Sequence, residues 1–442
     1  MKRYQLIYLL IFSLLYITLR VIHFMNVPTN TSYDTGSYVQ TAKQSIFSQG
    51  FWNGIRPFTY PLIIKVFNFN LDSLVVGQFI LSISVWIWFA FIFSRLLSSH
   101  LLRLFSFVFI LLFSLSTDVI LWDRLAQTES LNISMIIIFF SIFFYNVYHG
   151  KKIPAFVTII LSFFWVFLRD TNAWYVLFFG LLLIGFAILH KSTITKYILP
   201  IVLISFFILS NQSASIGRRW VVPFLNVLSS RILTNTDYLH EFELRGIPEN
   251  SALFEQKGKN FSQDYFTNPN LEDFRQWLFK DGKKAYLSFL LRNPSYFFQA
   301  PFENWSYMFG YLPYIDNTTN LNLIYSPLNF REILPYTISE IIYPKKFGLI
   351  FILISLVLTG FLLFQNLSPK TNSGLLFCLA ILICSYPMFI LTYHGDGSGM
   401  SRHAVGTILP LVLTCWLVVF QLLDKNLNRK MSVLVEVNEI SI

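Results

Sequence analysis

Long apolar runs alternate with short polar segments along most of the chain. A helix of about 20 apolar residues crosses a bilayer, because each helical residue adds about 1.5 Å of length. We predict ten such spans, at residues 5–25, 72–94, 101–117, 129–148, 153–168, 174–189, 197–212, 347–364, 374–392 and 404–423. The pattern therefore predicts an all-α polytopic membrane protein.

One polar block, residues 213–345, separates the seventh span from the eighth. Phe274, Trp277 and Phe289 recur there at helical spacing, which predicts an amphipathic helix on the membrane surface or on the bundle. The predicted organisation has four parts: a transmembrane module at 1–212 with a catalytic first outer loop at 26–71, an extracytoplasmic and largely helical block at 213–345, C-terminal transmembrane helices at 346–424, and a cytoplasmic tail at 425–442.

Composition excludes the soluble and fibrous classes of protein. Hydrophobic residues make up 55% of the 442 residues and charged residues 13%, about half the share of a soluble protein. A soluble fold could not bury that much apolar surface. With 3 Cys, 19 Gly and 17 Pro, the chain is neither a disulfide scaffold nor collagen-like.

The net charge of +10 belongs to the membrane part of the chain. The polar block holds 13 bases and 13 acids, whereas the rest holds 20 bases and 10 acids. That distribution is typical of membrane orientation and argues against a nucleic-acid partner. With a cytoplasmic N-terminus, the predicted inner segments carry twelve bases: Lys2, Arg3, Arg95, Arg103, Lys151, Lys152, Lys191, Lys196, Lys370, Lys425, Arg429 and Lys430.

This bias predicts a multi-pass protein of the plasma (inner) membrane, with both termini cytoplasmic. The first span is then a retained signal-anchor, with a cleaved signal peptide as the alternative. The polar loops that carry candidate chemistry all fall on the outer face. Any active site built from these loops would therefore lie on the extracytoplasmic side of the membrane.

Two carboxylates are candidates for catalysis. Asp34 is the only acid in residues 1–71 and precedes a predicted short helix at 37–48. It is a candidate general base, with a helix cap or a solvated loop acid as the alternative. Glu129 opens the fourth span, where it either favours the helix dipole or faces Asp34 to position an acceptor hydroxyl or a divalent cation.

Several basic side chains are candidates for binding phosphate. Arg402 and His403 precede the last span, and Arg169 separates the fifth span from the sixth. Arginine matches phosphate oxygens with a fork of donors, although an ordinary interfacial arginine is the alternative. The few histidines have no metal-ligand spacing, and no nucleotide-binding pattern occurs. A metal requirement is left open.

Four landmarks occur in a fixed order along the chain. They are Tyr33-Asp34-Thr-Gly-Ser-Tyr38 with Arg56-Pro57 and Tyr60-Pro61 behind it, Thr128-Glu129-Ser130, Arg169 with Thr171, and Arg402-His403. In this order the chain resembles the GT-C-fold membrane glycosyltransferases, the group of the protein mannosyltransferases and the lipid A aminoarabinose transferases. One departure is that Tyr33 precedes Asp34, where many relatives have two adjacent acids.

The resemblance implies a polyprenyl-phosphate sugar donor, a hydroxyl-bearing acceptor and transfer with inversion at the outer membrane face. It implies that Asp34 and Glu129 are catalytic. The implied donor-phosphate ligands are Arg402, His403, Arg169 and Arg56, and the implied acceptor pocket is Tyr33, Tyr38, Tyr60 and Arg124. It does not imply whether the acceptor is a protein, a lipid or a glycan.

Three other functions stay open. A ligase of related fold would move a whole glycan from a polyprenyl diphosphate. A lipid or sugar transporter (flippase) would show repeated halves and broken spans, and the chain shows neither clearly. A non-catalytic assembly subunit is the third.

Overall fold

The computed structural model describes residues 3–25, 29–150, 153–189, 193–259, 261–309, 330–342, 347–365, 367 and 372–440. At positions 3, 4, 33, 194, 195, 262, 263, 330–333, 336 and 429–440 it describes the backbone alone. Helices dominate these residues, which include no β-strand and only one isolated bridge, between Asn30 and Leu125. The predicted all-α class is confirmed.

The helices fall into three stretches of the chain. The first stretch is α1 (Arg3–Phe24), α2 (Tyr33–Lys43), α3 (Gln49–Trp52), α4 (Thr59–Val66), α5 (Leu71–Leu96), α6 (His100–Ser114), α7 (Thr117–Ile120), α8 (Thr128–His149), α9 (Ala155–Val166), α10 (Asp170–Leu189) and α11 (Ile198–Ile216). The polar block is α12 (Val221–Val227), α13 (Thr236–Glu243), α14 (Ser251–Phe254), α15 (Phe261–Thr267), α16 (Glu272–Trp277), α17 (Lys283–Arg292), α18 (Pro294–Glu303), α19 (Trp305–Phe309) and α20 (Phe330–Ile342). The last is α21 (Gly348–Phe364), α22 (Ser373–Gly395) and α23 (Met400–Ile440).

Seven helices in the described ranges are long and apolar enough to cross a membrane: α1, α5, α8, α10, α11, α22 and α23. An eighth span is possible if α6 and the segment Thr117–Arg124, bent by 52°, count as one. The multi-pass helical character is thus confirmed, whereas the count of ten is not.

Three predicted spans lie on helices that are short. The run at 101–117 ends in the bend after α6, and the runs at 153–168 and 347–364 become α9 and α21, with 12 and 17 residues. These two helices rise about 18 and 26 Å, less than the ~30 Å hydrocarbon core. Hydropathy overestimated only α9, which begins after Pro154 and ends before Arg169. Helix α21 matches its predicted run to within one residue.

The bundle is built around its last helix. In the most apolar window of α23, 72% of the residues are buried, against 22% in α1 and in α11, which lie at the periphery. Helix α5 packs on α6 and α8, α10 packs on α11, and α22 packs on α23. Rings of Phe89, Phe93, Phe144 and Phe420 contact one another at this centre, so the abundant phenylalanines fill the bundle core.

The polar block has an apolar core of its own. Phe242, Phe274, Trp277 and Phe289 are buried in it together. The predicted amphipathic helix is present, but a π-helical turn at Leu278–Gly282 divides it into α16 and α17. Helices α18 and α19 pack against α22 and α23 and attach the block to the bundle.

A buried ion pair joins α1 to the turn Trp122–Arg124, which precedes α8. Arg20 and Asp123 are in direct contact, and both side chains are almost fully buried. Arg20 also donates to the Ser114 carbonyl at 2.7 Å and to Ser82 Oγ at 2.9 Å. Ser130 Oγ donates to Asp123 at 2.5 Å. Each charge is therefore satisfied inside the bundle, which is the condition for burying it.

Candidate functional site

Local sequence places Asp34 in the first turn of α2. Ser32 caps this helix: its hydroxyl accepts from the Asp34 backbone N–H at 3.2 Å, and its own N–H donates to Thr35 Oγ1 at 2.9 Å. This reciprocal pair is a capping box. The helix therefore begins at Tyr33, four residues before the predicted 37–48 helix, and it ends at Lys43.

Five charged side chains from distant parts of the chain meet at one end of the bundle. Arg56 and Arg402 each contact one oxygen of Asp34. Arg402 Nε lies 3.0 Å from Glu129 Oε1, and Arg169 Nη1 lies 3.3 Å from the same oxygen. Arg402 therefore joins the two candidate catalytic acids. We call these five residues the charge cluster, and the end of the bundle where α8 and α23 begin the site end.

The charge cluster continues through His403 to the polar block. Arg169 Nη2 lies 3.2 Å from His403 Nδ1, and His403 Nε2 lies 3.2 Å from Asp396 Oδ2. Asp396 Oδ1 accepts from Asn226 Nδ2 and from the Ser398 N–H, both at 2.9 Å. Arginine has only donors, so Nδ1 must accept. A proton on Nε2, facing Asp396, fits both contacts.

Burial and charge act in opposite directions on Asp34. Burial alone would raise the pKa of its carboxyl, but Arg402 and then Arg56 outweigh burial and lower that pKa to about 2. The side chain of Glu129 is 1% exposed and that of Arg169 is 6% exposed. The site thus holds fixed charges in a largely water-excluded place, where they act strongly on a ligand.

Three atoms of the cluster have unused hydrogen-bonding capacity. Glu129 Oε1, Arg169 Nη1 and Arg402 Nε are buried within ion-pair distance of one another, yet none forms an aligned hydrogen bond. A buried donor without an aligned acceptor costs free energy. An anion that displaced Glu129 Oε1 from between Arg169 and Arg402 would satisfy both donors.

The candidate acceptor pocket is assembled only in part. The Arg56 guanidinium lies 5.0 Å from the centre of the Tyr38 ring, and Tyr38 meets Tyr60 edge-on at 5.1 Å. Tyr60 donates its hydroxyl to Gln78 Oε1 at 2.9 Å. Both tyrosines are buried, so they form a wall behind Arg56 rather than an open lining. The side chain of Tyr33 lies outside the described residues.

Arg124, which the sequence placed in the acceptor pocket, is not one of the five residues of the charge cluster. Its described side-chain contacts are with His23, whose Nδ1 lies 2.7 Å from Arg124 Nη2, and with the His23 carbonyl. The turn Trp122–Arg124 aims this arginine at the end of α1. Arg124 thus ties α1 to the turn, and its place in an acceptor pocket stays a prediction.

Residues of the polar block hold the loop before α23, a feature that sequence reasoning missed. Arg231 donates to the carbonyls of Tyr393 and Asp396 at 2.6 and 3.0 Å, and its guanidinium lies 3.9 Å from the centre of the Tyr393 ring. A Cβ at Gly397 would overlap the Asn226 carbonyl, so the backbones approach closely. The glycines at 395, 397 and 399 indicated a loop of unusual backbone conformation. The sequence around Arg231 gave no indication that this residue binds the loop.

Replacing Arg231 by Ala is expected to destabilise the protein by about 2–4 kcal/mol, because two charge-assisted hydrogen bonds and a cation–π contact are lost. The unfolding midpoint in detergent measures the effect. Arg292→Ala is the control, since Arg292 is exposed and forms no ion pair with the described residues. Equal changes in both variants would contradict the anchoring role of Arg231.

In the described ranges, no group of three or more His, Cys, Asp or Glu side chains is placed to hold a metal ion. The positive charge between Asp34 and Glu129 is that of Arg402. The divalent-cation alternative therefore has no ligand set among these residues, and it stays a hypothesis.

No protein-family model, no curated protein and no solved structure matches this chain. The resemblance to the GT-C glycosyltransferases therefore depends on the motifs and their order. The geometry of the charge cluster is an independent observation on which a function can be argued.

Proposed function

We propose that the chain is a membrane-embedded glycosyltransferase that moves a sugar from a polyprenyl-phosphate donor to an acceptor hydroxyl, with inversion. The observation that supports it best is the contact between Asp34 and Arg402, with Glu129 in contact with the same guanidinium. A candidate base and a candidate phosphate ligand are thus adjacent. Glu129 and Arg402 lie in the first turns of two candidate spans, α8 and α23, where a lipid head group would be met.

The donor phosphate would bind between Arg402 and Arg169. A lipid-linked donor stays in the bilayer, so its phosphate must be met at the ends of the spans. Both arginines have a buried nitrogen without an aligned acceptor. Guanidinium groups bind phosphate oxygens through two parallel hydrogen bonds, which favours arginine over a point charge at such a site.

In the proposed reaction the acceptor oxygen attacks the anomeric carbon while the bond from that carbon to the phosphate oxygen breaks. The polyprenyl phosphate leaves with the electron pair, and Asp34 takes the acceptor proton. The sugar passes through an oxocarbenium-like state, as in glycoside hydrolysis. Arg402 and Arg169, assisted by His403 and Arg56, stabilise the charge that grows on the departing phosphate.

Donor binding would also strengthen the base. In the unliganded arrangement two arginines hold the pKa of Asp34 at about 2, so it is a weak base. If Arg402 turns toward the phosphate, Asp34 loses the partner that lowers its pKa most, while its burial remains. The carboxylate would then accept a proton more readily.

Parts of the proposal concern the membrane rather than the site. The location in the plasma (inner) membrane, the cytoplasmic termini and the outer-face site stay predictions. So do the ten spans and the division of the chain into four parts after residues 212, 345 and 424. The acceptor class stays open among protein, lipid and glycan.

The decisive experiment incubates the purified protein with a labelled polyprenyl-phosphate sugar and analyses the products. Transfer or slow hydrolysis of the sugar supports the proposal. Movement of the lipid across reconstituted vesicles without turnover would contradict it and favour a flippase. Turnover only of a diphosphate-linked glycan would favour the ligase.

Replacing Arg402 by Gln is expected to weaken binding of a polyprenyl monophosphate about 10- to 100-fold, because a charge-assisted fork to phosphate is lost. Binding is measured by titration in detergent, with the uncharged polyprenol as the comparison ligand. Arg402→Lys should retain part of the affinity. Arg95→Gln is the matched control, because Arg95 ends α5 at the opposite end of the bundle. Equal losses for the phosphate and the polyprenol would contradict a phosphate role.

A further inference from the structure

Helix α17 presents an exposed face on which leucines alternate with basic side chains. Leu287 and Leu291, one turn apart, are 59% and 73% exposed. Lys280 and Lys284 are exposed beside them. The opposite face, with Ala285 and Phe289, is buried in the core of the polar block. Packing within the described part of the chain does not explain two leucines on an open face.

A basic cavity lies along the same helix. Its volume is about 330 Å³, at the low end of ligand-site volumes, and Leu244 is among its lining residues. Arg245, Lys284 and Arg292 supply three positive charges to it, against one negative charge from Asp281. Glu241 pairs with Arg245 at 3.2 Å. Lys284 and Arg292 are exposed and form no ion pair with the described residues, so their charge is available to an anion.

The structure also fixes the height of α17 relative to the membrane helices. Lys283 Nζ lies 3.4 Å from Ser215 Oγ, in the last turn of α11. Tyr286 donates its hydroxyl to the His394 carbonyl at 2.7 Å, in the last turn of α22. The start of α17 is therefore held against the ends of two candidate spans. Those ends are where the hydrocarbon core gives way to lipid head groups.

We propose that this face of the polar block binds an anionic phospholipid. The head-group phosphate would occupy the cavity near Lys284 and Arg292, and an acyl chain would cover Leu287 and Leu291. This goes beyond the proposed transfer reaction, since none of these residues belongs to the charge cluster.

The combination of features selects a lipid over other anions. Lysines and leucines interleaved on one exposed helix face are typical of helices that lie in the plane of a membrane interface. A free anion would use the bases but leave the leucines exposed. An acyl chain would also cover the three exposed leucines of this face, which include Leu244 at 74% exposed. A zwitterionic lipid would leave the excess positive charge of the cavity unbalanced.

The test measures binding of phosphatidylglycerol to the full-length protein in detergent, with phosphatidylcholine and inorganic phosphate as comparison ligands. The double variant Lys284→Gln/Arg292→Gln is expected to weaken phosphatidylglycerol binding roughly tenfold or more. The variant Leu287→Ser/Leu291→Ser should weaken it as well. The matched control is Lys257→Gln/Lys259→Gln, which removes two exposed charges elsewhere on the block.

Each outcome supports or overturns the proposal. Losses in both test variants, with little change in the control and an unchanged unfolding midpoint, support it. Equal binding of phosphatidylcholine, or equal loss in the control, would overturn the specific site. Binding that inorganic phosphate abolishes and that the leucine variant leaves unchanged would identify a free-anion site instead. Sugar transfer is not the readout, so failure here leaves the proposed reaction untouched.

Discussion

Replacing Asp34 by Asn is expected to lower sugar transfer by about 10²–10⁴, the usual contribution of a general base. The amide cannot take the acceptor proton, although the side chain keeps its size and the backbone of residue 34 keeps its hydrogen bonds to Ser32 and Ser37. Arg402 and Arg56 lose a charged partner, so binding of the donor phosphate should be unchanged or slightly tighter. The measurement compares the rate of transfer with donor affinity in the same preparation.

Two further variants make this result specific. Asp34→Glu keeps the negative charge but shifts the carboxylate by one methylene group. This variant should retain part of the transfer activity. Asp237→Asn is the matched control, because Asp237 is an exposed acid in the polar block away from the charge cluster. Full transfer activity in Asp34→Asn would remove Asp34 from the mechanism, whatever the donor affinity.

The pH dependence of stability follows from the same carboxylate. Its pKa is about 2 in the folded chain and 3.8 in the reference state. The lower folded value means that its contribution to stability is complete above pH 3.8 and is lost as the pH falls through about 2. Asp34→Asn should therefore flatten the acid limb of the unfolding curve in that window.

Replacing Asp123 by Leu is expected to destabilise the protein by about 3–5 kcal/mol, because it leaves the Arg20 guanidinium buried without its counter-ion. Both side chains of the pair are at most 3% exposed, so water cannot replace the lost partner. The unfolding midpoint in detergent, or the yield of folded protein, measures the effect.

The double variant Arg20→Met/Asp123→Leu is compared with the single variant Asp123→Leu to isolate the effect of the unpaired charge. Apolar residues of similar size remove both buried charges together, so most of the lost stability should return. Equal destabilisation in the single and double variants would show that the hydrogen bonds to Ser82, Ser114 and Ser130 matter more than the ion pair.

Much of the architecture could be predicted from the sequence because helix formation by apolar runs is local. Each of the ten predicted runs lies on a helix in the structure. Their lengths were less predictable: α9 is two residues shorter than its run at each end, whereas α21 matches its run to within one residue. The buried face of α17 followed from periodicity, whereas the π-helical turn before it did not.

In the candidate site, too, the sequence predicts some features and only the tertiary structure decides others. Sequence determined which side chains are unusual: a lone acid at position 34, an acid that opens a span at 129, and a basic pair at 402 and 403. Tertiary structure alone decided that Arg402 joins the two acids, that Arg124 turns to His23, and that Arg231 holds the loop before α23. Ion pairs join positions hundreds of residues apart, and only the packing of the helices brings those positions together.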